Sequence, residues 1–163
     1  MNEPIMYHLY KFAQGKSFSR VLNIGSGDQH KRMFPDNRTF FSSTQYIGID
    51  LVKGNDSYVD MVMDAKNMTF PSDHFDCIIC TETLEHIDDI YKAADGIKRV
   101  LAPGGWLFVS IPFLHPFHNY PGDFWRITPS GLDFLFRGLK RVEGMLIGNK
   151  KNPNTVIIIY RKV

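Results

Sequence analysis

Two cysteines in 163 residues, a net charge of only +2 and no long apolar run are what this sequence has little of. Each shortage excludes something. Cys77 and Cys80 make a C-x-x-C, but they lie inside FDCIIC, an apolar strand pattern in which residues three apart point to opposite faces. A redox or zinc site needs such a pair on a turn or helix start, so they read as buried thiols in a reducing cytoplasm and no metal site is expected. A charge of +2 is too small to make nucleic acid or an anionic membrane the default partner. The nearest basic pair, Lys31-Arg32, reads as helix surface. Met1 leads into a mixed polar and aromatic segment, with nothing long enough for a signal peptide or a membrane helix. There is no repeat, linker or low-complexity tract. The expectation is one cytoplasmic domain over residues 1–163 whose 44% hydrophobic and 22% charged content suits a globular core.

What is present begins with VLNIGSGDQH, Val21 to His30, followed about twenty residues on by YIGIDL. One apolar run stops at Gly25-Ser26-Gly27 and the next stops at Asp50. Glycine permits a sharp turn and lets backbone N–H groups approach a ligand. A carboxylate at the end of the next strand suits the two hydroxyls of a ribose. A dinucleotide-binding turn would have a third glycine where His30 stands, backed by a long helix. Together with the absence of a Tyr-Lys or His-Asp pair on the expected strands, this argues against a nicotinamide oxidoreductase.

The rest of the pattern alternates strands and helices, which predicts a doubly wound α/β sheet. Apolar positions Ile5, Met6, Leu9, Tyr10 and Ala13 predict a helix ended by Gly15. Strands are expected at Arg20–Ile24, Gln45–Ile49, Tyr58–Met63, Phe75–Cys80 and Trp106–Ile111. A short helix is expected from Gln29 to Phe34, stopped by Pro35. The clearest helix runs from His86 to Leu101, with Ile87, Ile90, Ala94, Ile97, Val100 and Leu101 at spacings of three and four. Pro129 opens another, capped by Thr128. RVEGMLIG and TVIIIYRKV, joined by NKKNPN, predict a final hairpin.

Between the fifth strand and that last helix lies PFLHPFHNYPGDFWRITPSG, too long and too rich in proline, histidine and rings for a plain connection. Ligands in open α/β sheets sit beyond the carboxyl ends of the strands, where this loop starts. His118 is the first candidate for a general base, then His115, with Asp123 as orienting carboxylate. Phe124 and Trp125 could wall an acceptor site and Arg126 could grip an acidic group. The competing reading is a lock: Arg126 paired with Asp123, Trp125 packed on the core. His86, after Glu85, reads as a structural hydrogen bond.

Glycine turn, Asp50, Asp64, TETLEHI and APGGW, in that order, resemble the class I S-adenosylmethionine-dependent methyltransferases, type 11 branch. The resemblance implies a Rossmann-like, seven-stranded, mostly parallel sheet whose last strand is antiparallel, in a three-layer sandwich. It implies S-adenosyl-L-methionine as cofactor and S-adenosyl-L-homocysteine as product. Gly25, Ser26 and Gly27 would lie against the methionine portion, Asp50 with Leu51 beside the ribose, Asp64 and Ala65 at the adenine, and Thr81, Glu82 and Leu84 beside the cofactor. Asn23 stands where the family usually carries an acid, and Gln29 where it often has a third glycine. HPFHNYPGDFWRIT is similar to a sub-branch pattern ending D-[YF]-W-R-[FY]-T, which implies a small-molecule or glycan acceptor, methylated at a hydroxyl oxygen. The alternative is a regulatory or inactive module that binds the cofactor.

Overall fold

A computed structural model describes residues 3–27, 36–53, 58–118 and 122–163. The expected helix over 29–34 and the Lys31-Arg32 pair lie outside these residues. The chain runs α1 (Glu3–Ala13), β1 (Ser17–Ile24), β2 (Ser42–Asp50), β3 (Met61–Val62), β4 (Phe75–Thr81), α2 (Ile90–Val100), β5 (Leu101–Pro112), α3 (Pro129–Leu135), β6 (Lys140–Gly148) and β7 (Pro153–Arg161). Single 3₁₀ turns stand at Asn37–Phe40, Ala65–Asn67 and Leu84–His86.

Seven strands form one sheet in the order β3-β2-β1-β4-β5-β7-β6. Neighbours pair in parallel from β3 to β5, and β7 runs antiparallel to both β5 and β6. The sheet thus has six strands in one direction and the last reversed. Strand order turns around between β1 and β4, the switch point above which such sheets hold ligands.

Alternation along the strands divides the core into two layers. Leu22, Ile24, Ile78 and Cys80 face α2 and α3, while Val21, Cys77, Ile79 and Phe108 face α1. The two thiols point to opposite faces, fully buried and unpaired. Burial pushes both up, away from thiolate chemistry. Each buried Ile, Leu or Phe in these layers contributes roughly 1.5–3 kcal/mol of transfer free energy.

Several boundaries differ from expectation, for local reasons. In α1 the buried set is Ile5, Met6, Leu9, Phe12 and Ala13, and Tyr10 is exposed. Gly15 ends the helix at φ +75°. The long helix starts at Ile90 because Asp89 caps it, its carboxylate accepting from Lys92 N at 3.1 Å. The third strand shrinks to two residues. Ahead of it, Asp60 is tied to the backbone of Gly48 by its amide at 2.8 Å and by its carboxylate at 2.7 Å. β5 begins five residues early, at Leu101, and slips register against β4 where Gly104 bends the chain at φ +74°. Thr128 caps α3 by accepting from Gly131 N at 3.1 Å, and the final hairpin forms as expected.

Candidate active site

The first half of the site is built at the carboxyl ends of β1 and β2. Gly25 and Ser26 donate their amides to the Ile49 carbonyl at 2.9 and 3.0 Å, and Gly27 donates to Asp50 Oδ2 at 2.9 Å. The turn amides are therefore not bare, as the glycine pattern alone suggests; they fasten the turn to β2 and aim the Asp50 carboxylate. What glycine supplies is closeness. A Cβ on Gly25, at φ +74°, would lie 2.1 Å from Thr83 Oγ1, and one on Gly27 would lie 2.8 Å from Asp50 Oδ2. Thr83 sits over the turn, its hydroxyl 2.9 Å from the Thr81 carbonyl and 3.3 Å from that of Ile24.

Asn23 is buried in β1, on the same face as Val21 and opposite Gly48 and Ile79. Asp64 caps the 3₁₀ turn after β3, accepting from Lys66 N at 2.8 Å, and Ala65 opens that turn, so its N–H has no partner within it. Leu51 is exposed, beside Asp50. The Leu84 side chain is fully buried in the layer facing α2, and its carbonyl accepts from Ile87 N at 3.2 Å.

The second half is made of charged side chains where the exit of β4 meets the loop after β5. Thr81 is buried opposite Ser110, and Glu82 adopts φ +47°, in the left-handed region. The Ser110 hydroxyl donates to Glu82 Oε1 at 3.0 Å, and burial raises the Glu82 carboxyl above its usual range. Glu85 is only 1% exposed. Burial and the neighbouring Glu82 charge push it well above that range.

The histidine-rich loop is clamped at both ends. Phe113 and Leu114 donate to the carbonyls of Asn154 and Pro153 at 2.8 and 3.0 Å. At the far end Phe124 N donates to the Glu85 carbonyl at 2.7 Å, and the Trp125 indole donates to the Ile87 carbonyl at 2.7 Å. Arg126 grips Asp123 with both guanidinium nitrogens, and this pairing holds the Asp123 carboxyl well below its usual range. Asp123 also accepts from His118 N at 3.1 Å and lies 3.4 Å from His118 Nδ1.

The contacts of Trp125 and Arg126 are those of the lock reading: the indole is bonded to Ile87 and the guanidinium to Asp123. Phe124 is exposed. His115, His118 and His86 meet edge to face in sequence, ring centroids 5.0 and 5.1 Å apart. The structure brings His118, His115 and Asp123 together with Glu82 and His86. The role of Glu85 is what the sequence reading missed. The available signal was a Glu-His pair at the exit of the fourth strand, facing a histidine-rich loop from the fifth.

A glycine turn at the switch point, bonded to an acid at the end of the second strand, sits in a Rossmann-like fold of the methyltransferase type. The chain belongs to the methyltransferase-domain family, whose model matches residues 4–133. It is similar to the ubiquinone/menaquinone biosynthesis C-methyltransferase UbiE of Proteus mirabilis, with 43% identity over 68 residues, which is 40% of this chain and 26% of that protein. The chain spans about a quarter of the length of the curated relatives it matches. Among solved structures, it resembles the Burkholderia thailandensis 1,6-didemethyltoxoflavin-N1-methyltransferase, whose crystal contains S-adenosylhomocysteine. The TM-score there is 0.75 at 17% identity, covering 99% of this chain and 80% of that one. YcgJ from Bacillus subtilis aligns with TM-score 0.73 at 16% identity over 99% of both chains. At such identities these two likenesses concern the fold.

Proposed function

We propose that this protein transfers a methyl group from S-adenosylmethionine to a hydroxyl oxygen of a small-molecule or glycan acceptor in the cytoplasm. The observation that carries the reading is the Gly25-Ser26-Gly27 turn bonded to Asp50 at the switch point, with the histidine loop leaving β5 beside it. Asp50 is the ribose partner. Asp64, with the Ala65 amide, reads the adenine, and Thr81, Glu82 and the Leu84 backbone line the methionine side. S-adenosylmethionine supplies an activated methyl, so much of the acceleration comes from holding the acceptor in line with it. An oxygen acceptor also needs its proton removed, and His118, oriented by Asp123, faces that task with His115 behind it. Relatives that bear a C-methyltransferase name make a carbon acceptor the natural control.

Calorimetry with S-adenosylhomocysteine tests the first part. Wild type is expected to bind one equivalent, and Asp50→Ala to lose at least tenfold in affinity, about 1.4 kcal/mol. Unchanged affinity would remove Asp50 from the site. Single-turnover methyl transfer to a panel of hydroxylated acceptors tests the second, with His118→Ala expected to fall by about 10²-fold or more. A wild-type rate in that variant rules His118 out.

A further inference from the structure

Three electron-pair donors converge where the exit of β4 faces the histidine loop, and no side chain among the described residues donates a proton to the carboxylate among them. Neither oxygen of the buried Glu85 carboxylate has a hydrogen-bond partner. His86 Nε2 lies 3.7 Å from Glu85 Oε1. One oxygen of Glu85 and one ring nitrogen each of His86 and His118 all lie within 4.8 Å of one another.

The rings are already oriented. His86 Nδ1 abuts the Gly122 carbonyl, and His118 Nδ1 is 3.1 Å from the Pro116 carbonyl. A carbonyl oxygen only accepts, so each Nδ1 carries the hydrogen and each Nε2 is left with its lone pair. Metal-bound imidazoles are held in this way, with the distal N–H fixed by a carbonyl or carboxylate. Glu82, anchored by Ser110, places a second carboxylate charge beside Glu85 and His118. A lone protein cation would answer this cluster, but Arg126 is committed to Asp123 and makes no hydrogen bond to Glu85.

We propose that Glu85, His86 and His118 form a binding site for a divalent first-row metal ion. Two imidazoles and one carboxylate suit Mn²⁺, Fe²⁺ or Zn²⁺ and leave coordination positions open. The ion site stands on its own geometry; the role that follows rests on the methyl-transfer reading. An acceptor hydroxyl bound at an open position loses its proton more readily, as metal-bound water does. That proton passes to His115 and on to solvent. The oxygen lone pair then forms the new O–CH₃ bond as the S–CH₃ bond breaks, its electron pair returning to sulfur to leave the neutral thioether. With the ion bound, His118 holds it and the proton falls to His115; without the ion, His118 is the base proposed above.

The test uses the full chain stripped with chelator and dialysed. Mn²⁺ is titrated and the free ion read by electron paramagnetic resonance, with S-adenosylhomocysteine calorimetry on the same samples. One Mn²⁺ per chain is expected, displaced by Zn²⁺, with affinity lowered at least tenfold in both Glu85→Gln and His118→Ala. His118 lies on the loop, so its removal leaves the core intact, and retained S-adenosylhomocysteine binding shows each variant is folded. Wild type that binds S-adenosylhomocysteine but no Mn²⁺ overturns the ion site and spares the methyl-transfer reading. Mn²⁺ binding of equal strength in both variants also overturns it. Mn²⁺ uptake without S-adenosylhomocysteine binding keeps the ion site and removes the methyl-transfer role.

Discussion

The two halves of the site are positioned by different physics. At the ends of β1 and β2, backbone does the work: the turn amides bond to Ile49 and Asp50, and space is so short that only glycine fits. At the exit of β4 and along the loop, position depends on charge: Asp123 against Arg126, Glu85 against Glu82, histidines against carbonyls. The first half is set by sterics and backbone hydrogen bonds. The second is an electrostatic device, so protons and ions tune it.

Substitutions can break that contrast. The largest effect is expected from Gly25→Ala, where a positive φ and a clash with Thr83 combine to destabilise by about 3 kcal/mol in urea unfolding. In a Thr83→Ala background the same change should cost at least about 1 kcal/mol less; equal cost would mean the clash is not what demands glycine. Asp123→Asn comes next, at about 2 kcal/mol, because Arg126 loses its partner. The Asp123 carboxyl is held below its unfolded value, so its contribution is complete above about pH 4 and fades as pH falls through the lower folded value. The gap between variant and wild type in thermal melts should therefore close on acidification, and a gap that persists at low pH refutes the ionic lock.

Glu85 behaves with the opposite sign. Its folded value is raised, so the neutral form is favoured: the associated stability is complete below about pH 4.3 and is lost as pH rises through the folded value. Metal-free Glu85→Gln should match wild type near pH 4 and exceed it at pH 8 by about 1–2 kcal/mol. A variant no more stable than wild type at pH 8 would show that the carboxylate is satisfied. Smallest is Trp125→Phe, which deletes one N–H···O bond to Ile87 and should cost about 1 kcal/mol by the same melts, with S-adenosylhomocysteine affinity unchanged.

The steric half was the legible one. Val21–Asp50 announced its strands, its turn and its acid because each depends on neighbours close in sequence, and Cys77 and Cys80 could be assigned to opposite faces by period alone. The hairpin and the Thr128 cap were readable for the same reason. Partner choice across the fold was not. Nothing local says that Phe124 N will meet Glu85 O, 39 residues away, or that the turn amides will be used within the protein. Pattern also ran the helix back to His86, since Ile87 and Ile90 keep the period while Asp89, the actual cap, looks like any polar residue. Glu85 was overlooked because a charged residue at a helix start is usually solvated, and only tertiary packing buries it.

The double clamp on the histidine loop has a consequence for how such a domain can diversify. One staple holds Phe113 and Leu114 to the start of the reversed strand, and the other holds Phe124 and Trp125 to the exit of β4. Chain between the staples, the Asp123 lock apart, can lengthen, shorten or change character without loosening either, much as a strap is resized between fixed buckles. The staples are thereby written in different stretches of sequence from the loop they hold, so the one can drift while the other stays fixed.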